Sequence, residues 1–183
     1  MPIVSADEEE AIISRLAEIA AAPKSLDSFP DWNLVMSRPA GKLYWTAAAR
    51  ISGILGGGVS IRFATPADSW DKDIYGHIEV AFPALGPRRL RVNPAEWRPR
   101  SEHRNPAWVP HPHALATYRD RWHPFDLNRD RGISIFMQGV SGAAVPLPDD
   151  TVSFSDYLHF CGGIWKCPDV EKVPPPPWSR RLV

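Results

Sequence analysis

Hydrophobic and polar positions along the chain change period several times, and each change marks an element. Residues 5–21, "SADEEEAIISRLAEIAA", put Ile12, Ile13, Leu16, Ile19 and Ala20 on one side of a helical repeat. Ser5 and Glu8 have capping-box spacing, and the acids Asp7 to Glu10 suit the positive end of a helix dipole. Pro23 stops this helix. The pattern then turns strand-like. "NLVMS" (33–37) is short, and "KLYWTAAARIS" (42–52) is longer and closes at Gly53. Gly56 to Gly58 predict a turn, and "VSIRFAT" (59–65) alternates in and out. A polar loop over 65–76 leads to "HIEVAFP" (77–83), with Ile78, Val80 and Phe82 on one face, and then to "RRLRV" (88–92).

Residues 93–125 lose this periodicity and are rich in Pro, His, Trp and Arg. Long connections without regular structure are usually functional or disordered. "GISIFMQGV" (132–140) returns to strand character, and "SFSDYLHFCGGIW" (153–165) predicts a helix capped by Ser153 or Ser155. The chain ends in "VPPPPWSRRLV", a polyproline segment followed by an aromatic and two arginines. The order predicts an α+β sandwich. An N-terminal helix and a C-terminal helical piece pack against a four-stranded antiparallel meander. Residues 1–165 form one domain and 166–183 a Pro-rich tail.

Composition sharpens this picture. A chain of 183 residues can bury a core without disulfide or metal staples. The formal net charge is zero, so nothing in the bulk charge points to nucleic acid or a membrane surface. The 20 prolines imply many fixed turns, and the 8 tryptophans suit cores and interfaces alike. Two cysteines, Cys161 and Cys167, make no disulfide framework, and no apolar run approaches the length of a membrane span. A cytoplasmic protein with reduced thiols and no cofactor is expected.

Several local segments, in this order, resemble one family. "LYWTAAARISG" (43–53), "TPADSWDKDIYGHIEVAFP" (65–83), "FPALGPRRLRV" (82–92) and "HPFDLNRDRGISI" (123–135) resemble successive parts of ubiquitin-conjugating (E2) enzymes and their RWD-type relatives. In that family a helix and a four-strand meander precede a His-Pro-Asn segment, a loop, a Gly and a strand bearing the catalytic Cys. The resemblance spans roughly residues 5–140 and rests on the order of the segments. It implies a UBC-like fold and a role as carrier in a bacterial ubiquitin-like conjugation pathway, often linked to antiphage defence. The implied partners are an E1-like adenylating enzyme and a ubiquitin-like protein. Two positions depart from the pattern: Ser134 stands where the family has its Cys, and Phe125 where it has the Asn of His-Pro-Asn.

That departure sets the chemistry. A thiolate is nucleophilic near neutral pH, whereas a Ser hydroxyl needs a base within hydrogen-bond reach. His123 is the candidate base, Asp126 or Asp130 could orient it, and Asn128 could donate to a developing oxyanion. The product would be an oxyester between Ser134 and the C terminus of a ubiquitin-like protein. The alternative is an inactive E2-like or RWD-like adaptor, whose Trp-, Pro- and Arg-rich loops would serve as interface. Its "PPPPW" could occupy an aromatic groove on a partner. A third reading takes His111 and His113, with His103, Asp120 and His123, as zinc ligands resembling those of JAB-type isopeptidases. The residues expected after that H-x-H are replaced by Arg121 and Pro124. Cys161, among Leu158, Phe160 and Ile164, is expected to be core rather than nucleophile.

Overall fold

In the computed structural model, residues 4–36, 41–51, 58–69, 71–137 and 142–178 are described. The first helix, α1 (Ala6–Ala21), begins as its sequence requires. Ser5 caps it, and the Glu8 carboxylate accepts the Ser5 N–H at 2.9 Å. Ile12, Leu16 and Ile19 form its buried stripe. That stripe packs near β6, α2 and the turn after Gly132, described below.

The strands are β1 (Lys24–Leu26), β2 (Asn33–Val35), β3 (Lys42–Ile51), β4 (Val59–Pro66), β5 (Ile74–Ala81) and β6 (Arg89–Trp97). Three two-residue strands follow in the irregular segment: β7 (His103–Arg104), β8 (Thr117–Tyr118) and β9 (Arg121–Trp122). After the short helix α2 (Phe125–Asn128) come β10 (Val145–Pro146) and α3 (Phe154–Ile164). The protein is α+β, and its antiparallel sheet has eight strands among the described residues rather than four. Strands β3 to β6 form the predicted meander. β1 and β2 pair with opposite ends of β3, while β9 and then β10 extend the other side. These added strands are two or three residues long, too short to show a periodic pattern.

Alternation separates the two faces of the sheet. Trp45, Ile61, Phe63, Ile78, Val92, Ala95 and Trp97 point into the core. Among the described residues, Trp45, Trp97 and Trp165 there are fully buried. Each indole N–H finds a backbone carbonyl, at Pro30, Thr151 and Asn93 respectively. That pairing removes the cost of burying the one polar atom of the ring. Phe63 lies at the centre of this aromatic cluster, 5.4 Å from the Trp165 ring and 5.9 Å from the Trp45 ring.

Two sequence expectations are corrected. Residues 132–140 do not continue as a strand, since Ile133–Phe136 form a 3-10 turn and residues 138–140 lie outside the described set. Ile133 and Phe136 are both buried, so this short apolar run follows a helical rather than a two-residue spacing. Nor is the whole 166–183 segment a tail. Cys167, Val170 and Val173 are buried in the same core. The Lys24 N–H donates to the Lys166 carbonyl at 2.7 Å, and the Trp32 indole to that of Pro174 at 2.7 Å. Trp178 packs edge-on against Phe154, with ring centroids 6.2 Å apart. The aromatic end of "PPPPW" thus lies on its own domain. Gly53, Gly56, Gly57, Arg180 and Arg181 lie outside the described residues.

Candidate functional site

The His123-Pro124 segment is placed by an irregularity in β6. Gly76 pairs with Ala95 and Ile78 with Val92, so Asn93 and Pro94 together oppose the single residue His77. Such a bulge bends its strand and re-aims side chains. Asn93 takes the left-handed conformation, φ 48°, which Asn tolerates better than most residues. Its side-chain oxygen accepts the Phe125 N–H at 2.7 Å, and the Pro94 carbonyl accepts the His123 N–H at 2.8 Å. Beyond the bulge, Ala95 and Glu96 pair with Trp122 and Arg121. Glu96, Arg121 and His123 are thereby brought together from positions far apart in the chain.

Arg121 is almost fully buried and donates from Nη2 to the Glu96 carboxylate at 2.6 Å. Its Nη1 also donates to the carbonyls of Ser101 and Arg119, at 2.9 and 3.0 Å. His123 Nε2 lies 3.5 Å from the other Glu96 oxygen, and the His103 ring meets His123 edge-on, centroids 5.1 Å apart. Burial alone would raise the Glu96 carboxyl, but the nearby His123, Arg121 and His103 outweigh it and hold the group below its ordinary value. Burial, reinforced by the adjacent His123 and Arg121, lowers His103.

This cluster borders a cavity of about 130 Å³ lined by Tyr75, Arg91, Glu96, His123, Phe136 and Met137 among others. His123 Nδ1 is buried with no hydrogen-bond partner among the described residues. The chain thus sets an imidazole beside the Glu96 carboxylate at the border of a small cavity.

The other residues singled out from the sequence are dispersed. Ser134 is exposed on the 3-10 turn and is not among the residues lining the His123 cavity, though Ile135, Phe136 and Met137 are. The turn is fixed by Gly132, φ 77°, and by Glu9 of α1, whose carboxylate accepts the Ile133 N–H at 2.8 Å. Asn128 is buried and engaged with backbone. Its amide donates to the Pro124 and Ala143 carbonyls at 2.8 and 3.0 Å, and its oxygen accepts the Ala143 N–H at 2.7 Å. Asp126 is 86% exposed, with only a loose pair to Arg129 at 3.9 Å. Asp130 is also exposed. The acid beside His123 is therefore Glu96, which lay unremarked in "NPAEW"; so did Arg121 as its partner. Their only sequence signal was that Arg121 and His123 sit on the same side of a short extended run.

No group of three or more His, Cys, Asp or Glu side chains is arranged to hold a metal among the described residues. His113 is 2.6 Å from the Tyr118 hydroxyl, and His111 is exposed. Cys161 is fully buried, and burial pushes its thiol well above the ordinary range. No helix among the described residues is long and apolar enough to cross a membrane. Comparison with protein-family models, with curated proteins and with solved structures finds no match to this chain.

Proposed function

We propose that the chain is an E2-like, UBC-like member of a bacterial ubiquitin-like conjugation pathway, acting as a catalytically inactive E2/RWD-like adaptor. Its partner on this reading is an E1-like adenylating enzyme. Support for the class comes from the order of its parts: an N-terminal helix, a meander, the His123-Pro124 turn held on β6, then Gly132 and Ser134. Support for the adaptor form comes from one observation. The groups that would activate Ser134 are occupied elsewhere: His123 faces Glu96, and Asn128 spends its amide on Pro124 and Ala143. A hydroxyl without a base in reach is a poor nucleophile.

The carrier reading, with the ubiquitin-like C terminus held as an oxyester on Ser134, is favoured by the exposure of that hydroxyl on a tight turn. It requires the bound partner to supply the base. One experiment separates the two. The purified chain is mixed with ATP, a bacterial E1-like adenylating enzyme and a ubiquitin-like protein. The adaptor predicts a complex on size-exclusion chromatography with no covalent band. An ATP-dependent, hydroxide-labile adduct lost in Ser134→Ala overturns the adaptor in favour of the carrier. Neither complex nor adduct would sink the conjugation reading itself.

A further inference from the structure

The second face of the sheet is polar, and its register places like groups side by side. Tyr44 pairs with Ala64, and Ala64 with Tyr75, so a methyl group sits between two phenol rings. In the next row Arg62 pairs with His77, and in the one beyond it Glu79 pairs with Arg91. The short Ala64 side chain leaves a depression between taller neighbours. The result is a cavity of about 400 Å³, bordered by Lys42, Arg62, Arg91, Arg100, Tyr44 and His77 among others. It adjoins the His123 cavity, with Tyr75 and Arg91 lining both.

The charges here are unbalanced. Arg100 is paired with Asp73 at 2.9 Å and Arg62 with Glu79 at 3.3 Å. Arg91 is held by the Tyr75 hydroxyl at 3.0 Å, and neither it nor Lys42 has a carboxylate at ion-pair distance among the described residues. Two positive charges therefore remain uncompensated around one concavity. An independent observation lies in the same cavity. His77 is 3% exposed, and neither of its ring nitrogens has a hydrogen-bond partner among the described residues. Its nearest acid oxygen, on Glu79, is 3.6 Å away, beyond hydrogen-bond reach. Burying an imidazole with neither nitrogen paired is costly, so the surface beside it is not packed for stability alone.

We propose that this cavity binds the phosphoryl group of a small organic phosphate. Cations converging from β3, β4 and β6 suit a dianion with several oxygens, whereas one arginine fork already satisfies a single carboxylate. The His77 ring borders the same cavity, so its resonances report on occupancy. The volume falls within the range of small-molecule sites and exceeds the phosphoryl group alone, so the remainder of the ligand lies along Tyr44 and Tyr75. This site stands independently of the conjugation reading.

The test is calorimetric titration of the full chain with inorganic pyrophosphate, glycerol 3-phosphate and citrate in phosphate-free buffer. The expected result is saturable binding of the two phosphates, weakened about tenfold or more in Arg91→Gln or Lys42→Gln. Arg89→Gln, an exposed arginine on the same strand, leaves it unchanged. In the wild-type protein the His77 imidazole resonances shift on saturation with pyrophosphate. This readout, with Lys42→Gln, keeps the test decisive if Arg91→Gln fails to fold. No saturation at millimolar pyrophosphate overturns the site. Equal weakening by Arg89→Gln would mean diffuse attraction to a basic surface. Citrate binding as tightly as pyrophosphate overturns the phosphoryl assignment.

Discussion

The side-chain oxygen of Asn93 accepts the backbone N–H of Phe125 at 2.7 Å. The carbonyl of the same residue accepts the Trp165 indole N–H at 2.8 Å. One residue in a bulge thus joins β6, the start of α2 and the C-terminal end of α3. Asn93→Ala removes the acceptor for a buried N–H and places a less tolerant residue at a left-handed φ. A loss of about 2–3 kcal/mol is expected from urea denaturation. Asn93→Gly relieves the backbone and forfeits the side chain's two hydrogen bonds, from the Phe125 N–H and to the Ile164 carbonyl, so its loss is smaller than that of Asn93→Ala.

Asn128 and Asp126 separate structural from surface roles within one helical turn. Asn128→Ala removes the acceptor of the buried Ala143 N–H and the side-chain donor to the Pro124 and Ala143 carbonyls, and is expected to cost about 1–3 kcal/mol. Asp126→Asn, at an exposed position, should lie within about 0.5 kcal/mol of the parent. Thermal melts of the two variants side by side check this. A larger loss in Asp126→Asn would contradict the loose geometry of its pair with Arg129.

Gly76 is required by the ring that packs over it. A Cβ there would stand 2.7 Å from the Phe63 ring and 2.8 Å from Trp165, both inside van der Waals contact. Neither ring can withdraw, because Trp165 is tied to Asn93 and Phe63 is enclosed by Trp45 and Tyr157. Gly76→Ala is expected to destabilise by about 1–3 kcal/mol through overpacking. Near-ultraviolet circular dichroism should report the disturbed tryptophan environment.

His77 predicts an acid dependence of stability. Burial lowers its imidazole from 6.5 to about 4, with Arg91 and Arg62 adding to the effect and Glu79 opposing it. Between those values the unfolded chain binds more protons than the folded one, so stability rises with pH across the window. Acidification from 6.5 towards 4 then removes about 3 kcal/mol on this account. Urea midpoints in phosphate-free buffer measure it. Glu79 and Glu96, both held below their ordinary values, also lose stability in acid, so the diagnostic quantity is a difference. His77→Phe should flatten the slope relative to wild type. An unchanged slope would show that His77 does not carry it.

The sequence by itself determined the parts whose physics is local. The Ser5–Glu8 capping box and the Ile12, Leu16, Ile19 stripe specify α1 within a few turns of chain. Alternation over 59–65 and 77–83 specifies strands with one buried face, because side chains in a strand alternate sides whatever the sheet around them; the start of β5 at Ile74 falls in what reads as a polar loop. The helix after Ser153 was legible for the same reason as α1, since its cap and its buried Tyr157, Leu158 and Cys161 lie within one short segment.

Only the tertiary structure decided the rest. β9 and β10 are two residues each, and they form only by pairing, β9 with β6 beyond the bulge at Asn93 and Pro94, and β10 with β9. The 132–140 run reads as strand from its sequence, whereas burial of Ile133 and Phe136 on one side goes with a 3-10 turn over Ile133–Phe136. That choice turned Ser134 outwards. Val170 and Val173 read as part of a Pro-rich tail because the apolar surface they cover belongs to distant parts of the chain. Glu96 is 25 residues before Arg121, and their ion pair forms only through strand pairing. The uncompensated cations around His77 likewise come from separate strands and meet through register alone. Local pattern fixes which way a side chain points along its own element; which charges, rings and empty spaces it then faces is settled by the elements packed beside it.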